Sequence, residues 1–93
     1  MQKWRNCFTN RIFSRTAWSD FMEWVKEDRK IARKVDALLN DIERNGHEGI
    51  GKPEALRHDF AGYWSRRITE KDRLIYRFDD NNIYIAACKG PYD

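Results

Sequence analysis

Glu54 closes a glycine-bracketed loop, Gly49-Ile50-Gly51-Lys52-Pro53, and precedes Leu56-Arg57-His58. Two basic, aromatic segments follow, Tyr63–Thr69 and Arg73–Phe78, and together they carry Arg66, Arg67, Arg73 and Arg77. One carboxylate, several guanidiniums and aromatic rings gathered on a small sheet form a set suited to cleaving or binding RNA. Cleavage by internal attack needs a base for the ribose 2′-hydroxyl, positive donors for the charge that builds on the phosphate, and an acid for the departing 5′-oxygen. Glu54 is the candidate base. Arg73 and Arg67 are candidate clamps, because a guanidinium fork matches two phosphate oxygens. Lys52 and Arg57 flank Glu54, where they would favour its ionised form and hold the RNA backbone.

Each residue also has a plainer reading. A glutamate after proline is commonly a first-turn helix residue that complements the helix dipole, and spacing alone favours that reading of Glu54. Arg66, Arg67, Arg73 and Arg77 read equally well as solvated cross-strand partners of acidic residues on a one-sided sheet. Tyr63 and Trp64 are more often core and rim than stacking platforms. His47, in a loop beside Glu48 with no second ligand at metal spacing, reads as a surface histidine. His58 lies near Glu54 and could titrate. The last segment, Lys89-Gly90-Pro91-Tyr92-Asp93, supplies a tyrosine and no imidazole. On these residues alone, an RNA-cleaving enzyme and an RNA-binding protein stand level.

Ninety-three residues suffice for one domain with a modest core and are too few for two. The formal charge is only +3, from 18 Lys and Arg against 15 Asp and Glu, so any nucleic-acid role rests on where the arginines sit. Cys7 and Cys88 match neither a metal spacing nor a disulfide framework, which fits a reducing compartment. Met1–Cys7 has no apolar signal-peptide core, and no stretch approaches membrane-spanning length. The expectation is a soluble cytoplasmic domain.

The elements that must position these residues can be read from periodicity. Residues 1–9 lack clear periodicity and read as an extension, leaving 10–93 as a single domain. Arg11–Ser14 reads as a short strand. A helix is expected from about Thr16 to Glu27, with Ala17, Trp18, Phe21, Trp24 and Val25 on one stripe. Asp28 caps a second helix from about Arg29 to Arg44, with Ile31, Val35, Leu38, Leu39 and Ile42 on its stripe, and Asn45-Gly46 ends it. Arg73–Asp79 and Asn82–Cys88 flank Asp80-Asn81, a tight hairpin turn. That register sets Arg77 against Tyr84 and Ile75 against Ala86, and gathers Leu74, Tyr76, Phe78, Ile83, Ile85 and Ala87 on one apolar face. Tyr63–Thr69 can join by a two- or a three-residue turn through Glu70-Lys71-Asp72, and the three-residue turn, which hydrophobic patterning favours, puts Trp64 and Ile68 on the same apolar face. Arg67 then lies on the open face beside Arg73 and Arg77. The fold class is α+β, with two N-terminal helices packed on a small antiparallel sheet.

Several linked motifs resemble the YoeB/Txe branch of RelE-like bacterial toxins. They are Gly51-Lys52-Pro53-Glu54-x-Leu56, Gly62-Tyr63-Trp64-Ser65-Arg66-Arg67-Ile68 and Asp72-Arg73-Leu74-Ile75-Tyr76. The helical Trp18-x-x-Phe21-x-x-Trp24 and the ending Ala86-Ala87-Cys88-Lys89-Gly90-x-Tyr92 agree as well, over roughly residues 11–92. The resemblance implies a microbial RNase-like fold and a metal-independent toxin, without cofactor, that cuts mRNA on the ribosome. It also implies neutralisation by a cognate antitoxin, homodimers, and operator DNA binding only through that antitoxin. Carried over by position, the general base falls on Glu54 and the phosphate-binding arginine on Arg73. Supporting basic positions fall on Arg57 and Arg67, and the near-terminal tyrosine on Tyr92. Where the family ends in His-Tyr this chain has Pro91-Tyr92, so the expected general acid is missing. General acid–base catalysis contributes about 10²–10⁴-fold, so impaired cleavage is the expectation.

Overall fold

The computed structural model of the chain describes residues 10–91, so the N-terminal extension and Tyr92 lie outside the described residues. The first strand, β1 (Asn10–Phe13), runs into Ser14, whose hydroxyl accepts from the backbone N–H of Ala17 and so caps α1 (Arg15–Glu27). Asp28 ends α1, and its carboxylate accepts from the Lys30 N–H to begin α2 (Arg29–Asn45). Gly46 stops α2 as expected, with its N–H on the Ile42 carbonyl.

The remaining strands are β2 (Glu54–Ala55), β3 (Trp64–Arg67), β4 (Arg73–Phe78) and β5 (Asn82–Ala87), with one 3₁₀ turn at His58–Phe60. They form one sheet in the order β1-β5-β4-β3-β2. Pairing is antiparallel except that β1 lies parallel to β5, so the sheet is mixed rather than purely antiparallel. The helices between β1 and the later strands supply the crossover that a parallel pair requires.

Both helices pack on one face of this sheet. The core joins Ala17 and Trp24 of α1, Val35, Leu38, Leu39 and Ile42 of α2, and Leu74, Tyr76, Ile83 and Ile85 of the sheet. Trp18, expected on the α1 stripe, is half exposed and packs edge-on against Phe13.

Two register details depart from the expectation. Arg77 does face Tyr84, but a bulge opposite the Ile75–Tyr76 step sets Ile75 against Ala87 rather than Ala86. The extra residue, Ala86, has its carbonyl bonded by the Ser14 hydroxyl. Ala87 therefore turns to the open face and Cys88 into the core, where burial pushes its thiol up to about 12 and keeps it neutral. The β3–β4 connection has three residues, as expected, but they are Thr69-Glu70-Lys71: Ile68 N–H reaches the Asp72 carbonyl and Arg67 sits opposite Arg73. Thr69 Oγ1 accepts from the N–H groups of Lys71 and Asp72, which fixes the turn in this shifted position. Sliding by two residues keeps every side chain on its expected face, because strand side chains alternate with period two.

Candidate functional site

The face of the sheet turned away from the helices carries three rows of side chains. Arg67 lies opposite Arg73; Glu54, Ser65, Ile75 and Ala87 form the next row; Arg77, Tyr84 and Ile12 form the third. Glu54 reaches this face because β2, the strand at one edge, pairs it with Ser65. The helix-cap reading of Glu54 fails: it is an exposed edge-strand residue. Lys52, Pro53, Glu54, Ser65, Arg67 and Arg73 line one cleft of 160 Å³. Among the described residues no cation lies within ion-pair distance of Glu54.

Arg73 is held by carbonyls rather than by a carboxylate. Its Nη1 donates to the backbone oxygens of Thr69, Glu70 and Asp72, at 3.0, 3.2 and 3.1 Å. A guanidinium anchored by neutral acceptors keeps its full charge and a fixed orientation, as a preorganised phosphate clamp needs. Arg57 and His58 lie beyond Glu54, lining a neighbouring groove with it, and His58 adopts a left-handed backbone (φ 59°) at the start of the 3₁₀ turn. Arg77 is not brought into the cleft. Its guanidinium stacks 3.9 Å over the Tyr84 ring.

Residues 88–90 are held beside Arg73 by specific bonds. Trp24 Nε1 donates to the Cys88 carbonyl, and Asp20 accepts from the Cys88 N–H. Lys89 pairs with Glu23 and Glu27 of α1. The Gly90 carbonyl then accepts from the Arg73 N–H at 3.0 Å, and the Gly90 N–H donates to Asp72 at 2.8 Å. Burial would raise the Asp72 carboxyl, but bonds from Thr69 and Gly90 outweigh it and hold the group below its usual range. Pro91 thus follows directly on the residue bonded to Arg73.

One residue essential to this arrangement is neither a phosphate clamp nor a solvated cross-strand partner. Arg66 is fully buried. It donates to Tyr76 Oη, to Asp41, and to the carbonyls of Gly46, Glu48 and Ile50. Asp41 also accepts from Asn45 and the Ile50 N–H; burial would raise its carboxyl, and these bonds with that of Arg66 hold it low. This hub ties the loop before Glu54 to α2 and β3. Gly51 completes it: a Cβ there would lie 2.9 Å from Leu38 and 3.3 Å from the Arg67 carbonyl, with φ at +83°. The signal was present in the sequence, since alternation that turns Trp64 and Ile68 inward also turns Arg66 inward. His47 is exposed, as expected, but its ring is stacked 3.9 Å from Trp64 and 4.4 Å from Phe78. Burial, with the nearby Arg66 charge, lowers its pKa.

Among the described residues no three His, Cys, Asp or Glu side chains converge to hold a metal ion, and no helix is long and apolar enough to cross a membrane.

Comparison with known proteins agrees with this architecture. Residues 13–92 match the family described as YoeB-like toxin of bacterial type II toxin–antitoxin system. Toxin YoeB of Escherichia coli (strain K12) is 44% identical over 81 residues, covering 87% of this chain and 96% of that protein. The YoeB dimer of Staphylococcus aureus superposes with a TM-score of 0.86 at 47% identity, over 90% of this chain and 98% of that one. The same coverage and identity, with a TM-score of 0.85, hold for the toxin in the heterotetrameric YoeB–YefM toxin–antitoxin complex of Staphylococcus aureus.

Proposed function

The chain belongs to the YoeB-like toxins of bacterial type II toxin–antitoxin systems, and we propose that it acts as a ribosome-dependent mRNA endoribonuclease weakened at its acid position. The observation that carries this reading is the shared cleft of Glu54, Arg67 and Arg73. Glu54 takes the proton of a ribose 2′-hydroxyl, whose oxygen attacks the adjacent phosphorus. Arg73 and Arg67 stabilise the charge gathering on the phosphate oxygens. The bond to the 5′-oxygen breaks, leaving a 2′,3′-cyclic phosphate. Lys52 and Arg57, on either side of Glu54, hold the RNA backbone, and Tyr92 supports the same site. Pro91 has no proton to give the 5′-oxygen, so water supplies it and the rate falls.

The YoeB of Staphylococcus aureus forms a dimer and a heterotetramer with YefM. By that likeness this chain pairs with itself and with a YefM-like antitoxin in the cytoplasm, and meets operator DNA only through the antitoxin.

Cleavage of mRNA on purified ribosomes tests the reading. Glu54→Gln and Arg73→Ala should each lower the rate by about 10²–10³-fold, and Pro91→His should raise it by about 10²-fold or more. Equal rates for the parent chain and Pro91→His would refute the impairment. Growth inhibition unchanged in both Glu54→Gln and Arg73→Ala would assign toxicity to binding of antitoxin, ribosome or RNA instead.

A further inference from the structure

The third row on the open face has no part in the chemistry just described. Ile12 pairs with Tyr84 across β1 and β5, and Tyr84 pairs with Arg77 across β5 and β4. Continuing the β3–β4 ladder past Trp64 and Tyr76 brings Tyr63 opposite Arg77. The Arg77 guanidinium lies 3.9 Å from the centre of the Tyr84 ring and 5.9 Å from that of Tyr63. These side chains border a shallow hollow of 190 Å³.

We propose that Tyr63, Arg77 and Tyr84 form a stacking shelf for one unpaired base of an RNA strand whose reacting ribose–phosphate lies over Glu54, Arg67 and Arg73. The inference rests on the RNA reading of that cleft. Three observations support it.

Side chains two residues apart on a strand share a face at about 7 Å spacing, so the shelf is the row adjoining Ser65 and Glu54. A strand of RNA crossing the rows passes from the arginines to the rings without leaving the sheet.

The charge at the shelf favours a base over a phosphate. Arg77 is spread against aromatic faces, and the Asp79 carboxylate stands nearby, accepting from Tyr84 Oη at 2.8 Å. That carboxylate repels a phosphate, whereas a flat guanidinium backed by a ring offers a plane on which any base can stack.

The shelf is also built before any ligand arrives. Tyr84 Oη is fixed by Asp79 and by Asn82 Nδ2 at 3.3 Å, so little side-chain freedom is lost on stacking.

The test uses the full chain and fluorescently labelled 2′-O-methyl RNA octamers, which lack the attacking hydroxyl, at low salt. A set of octamers carries one abasic residue at each successive position. For the parent chain, one abasic position should weaken binding about tenfold, the scale of one stacked base. Tyr84→Leu and Arg77→Ala should each lose a similar factor on the intact octamer and show no further loss at that position. Tyr84→Phe, which keeps the ring, should retain the abasic effect and controls for folding. Arg73→Ala should weaken every octamer equally while keeping the abasic effect, separating the shelf from the phosphate clamp. Because nothing is cut, loss of ribosomal cleavage in Glu54→Gln bears on the nuclease reading and not on this one. Abasic losses that are unchanged in Tyr84→Leu would overturn the proposal. So would a Tyr84→Leu variant that binds RNA normally but loses association with a second copy or with the antitoxin, which would make the row a protein contact.

Discussion

Arg66 and Arg67 are neighbours in the chain and lie on opposite faces of one sheet. Arg66 points toward the helices, is wholly buried, and donates to five acceptors from α2, its following loop and Tyr76. Arg67 points away, is exposed, and its guanidinium shares a cleft with Glu54 and Arg73. The same side chain is structural cement on one face and, in the proposed reaction, a phosphate clamp on the other. What separates them is the supply of acceptors: a buried guanidinium is tolerated only when its donors are matched, and an exposed one stays available for a ligand.

The largest effect should come from breaking the buried member. Arg66→Ala strands the Asp41 carboxylate and three loop carbonyls, so it should cost about 3–5 kcal/mol in denaturant unfolding. Arg66→Lys keeps the charge but not the fork, and should recover part of that loss. Arg67→Ala should do the reverse, changing stability by less than about 0.5 kcal/mol and cleavage by about 10²-fold. A stable but inactive Arg66→Ala, or an unfolded Arg67→Ala, would erase the contrast.

Acid sharpens it. The folded-state pKa values of Asp41 and Asp72 lie below the 3.8 of the free side chain. Their stabilisation is therefore full above pH 3.8 and is lost as pH falls through the lower folded values. Asp72→Asn should flatten unfolding free energy against pH below about 4. The smallest effect concerns His47, whose folded pKa lies below 6.5. Stability it contributes is full above pH 6.5 and declines as pH falls further, so His47→Gln should reduce the slope below pH 6.5.

The two helices were legible because their stripes are long and the cap at Asp28 follows simple hydrogen-bond chemistry, whereas Ser14 reads as the end of a strand and proves to cap α1. The arginine row was legible because alternation is insensitive to a slide of two residues. The strand at Glu54 was not legible because β2 is only two residues long, too short to show a period, and Pro53-Glu54 looks like the start of a helix. The Arg66 hub was hidden for a different reason: most of its acceptors are backbone carbonyls, which no side-chain pattern encodes. The stack of His47 on Trp64 and Phe78 likewise depends on how the loop after α2 folds back over the sheet.

The single extra residue in β5 decides more than local pleating. Because Ala86 is looped out, the residues after it are counted from Cys88 inward, and Gly90 arrives where it can bond to Arg73. Position 91 should therefore tolerate exchange of its side chain, histidine for proline included, whereas deleting Ala86 should restore a regular β4–β5 ladder, keep Cys88 inward and cost only the bond from Ser14. An inserted residue is absorbed where it arises, so the pairing beyond it, from Ile75–Ala87 to Arg73–Gly90, is kept.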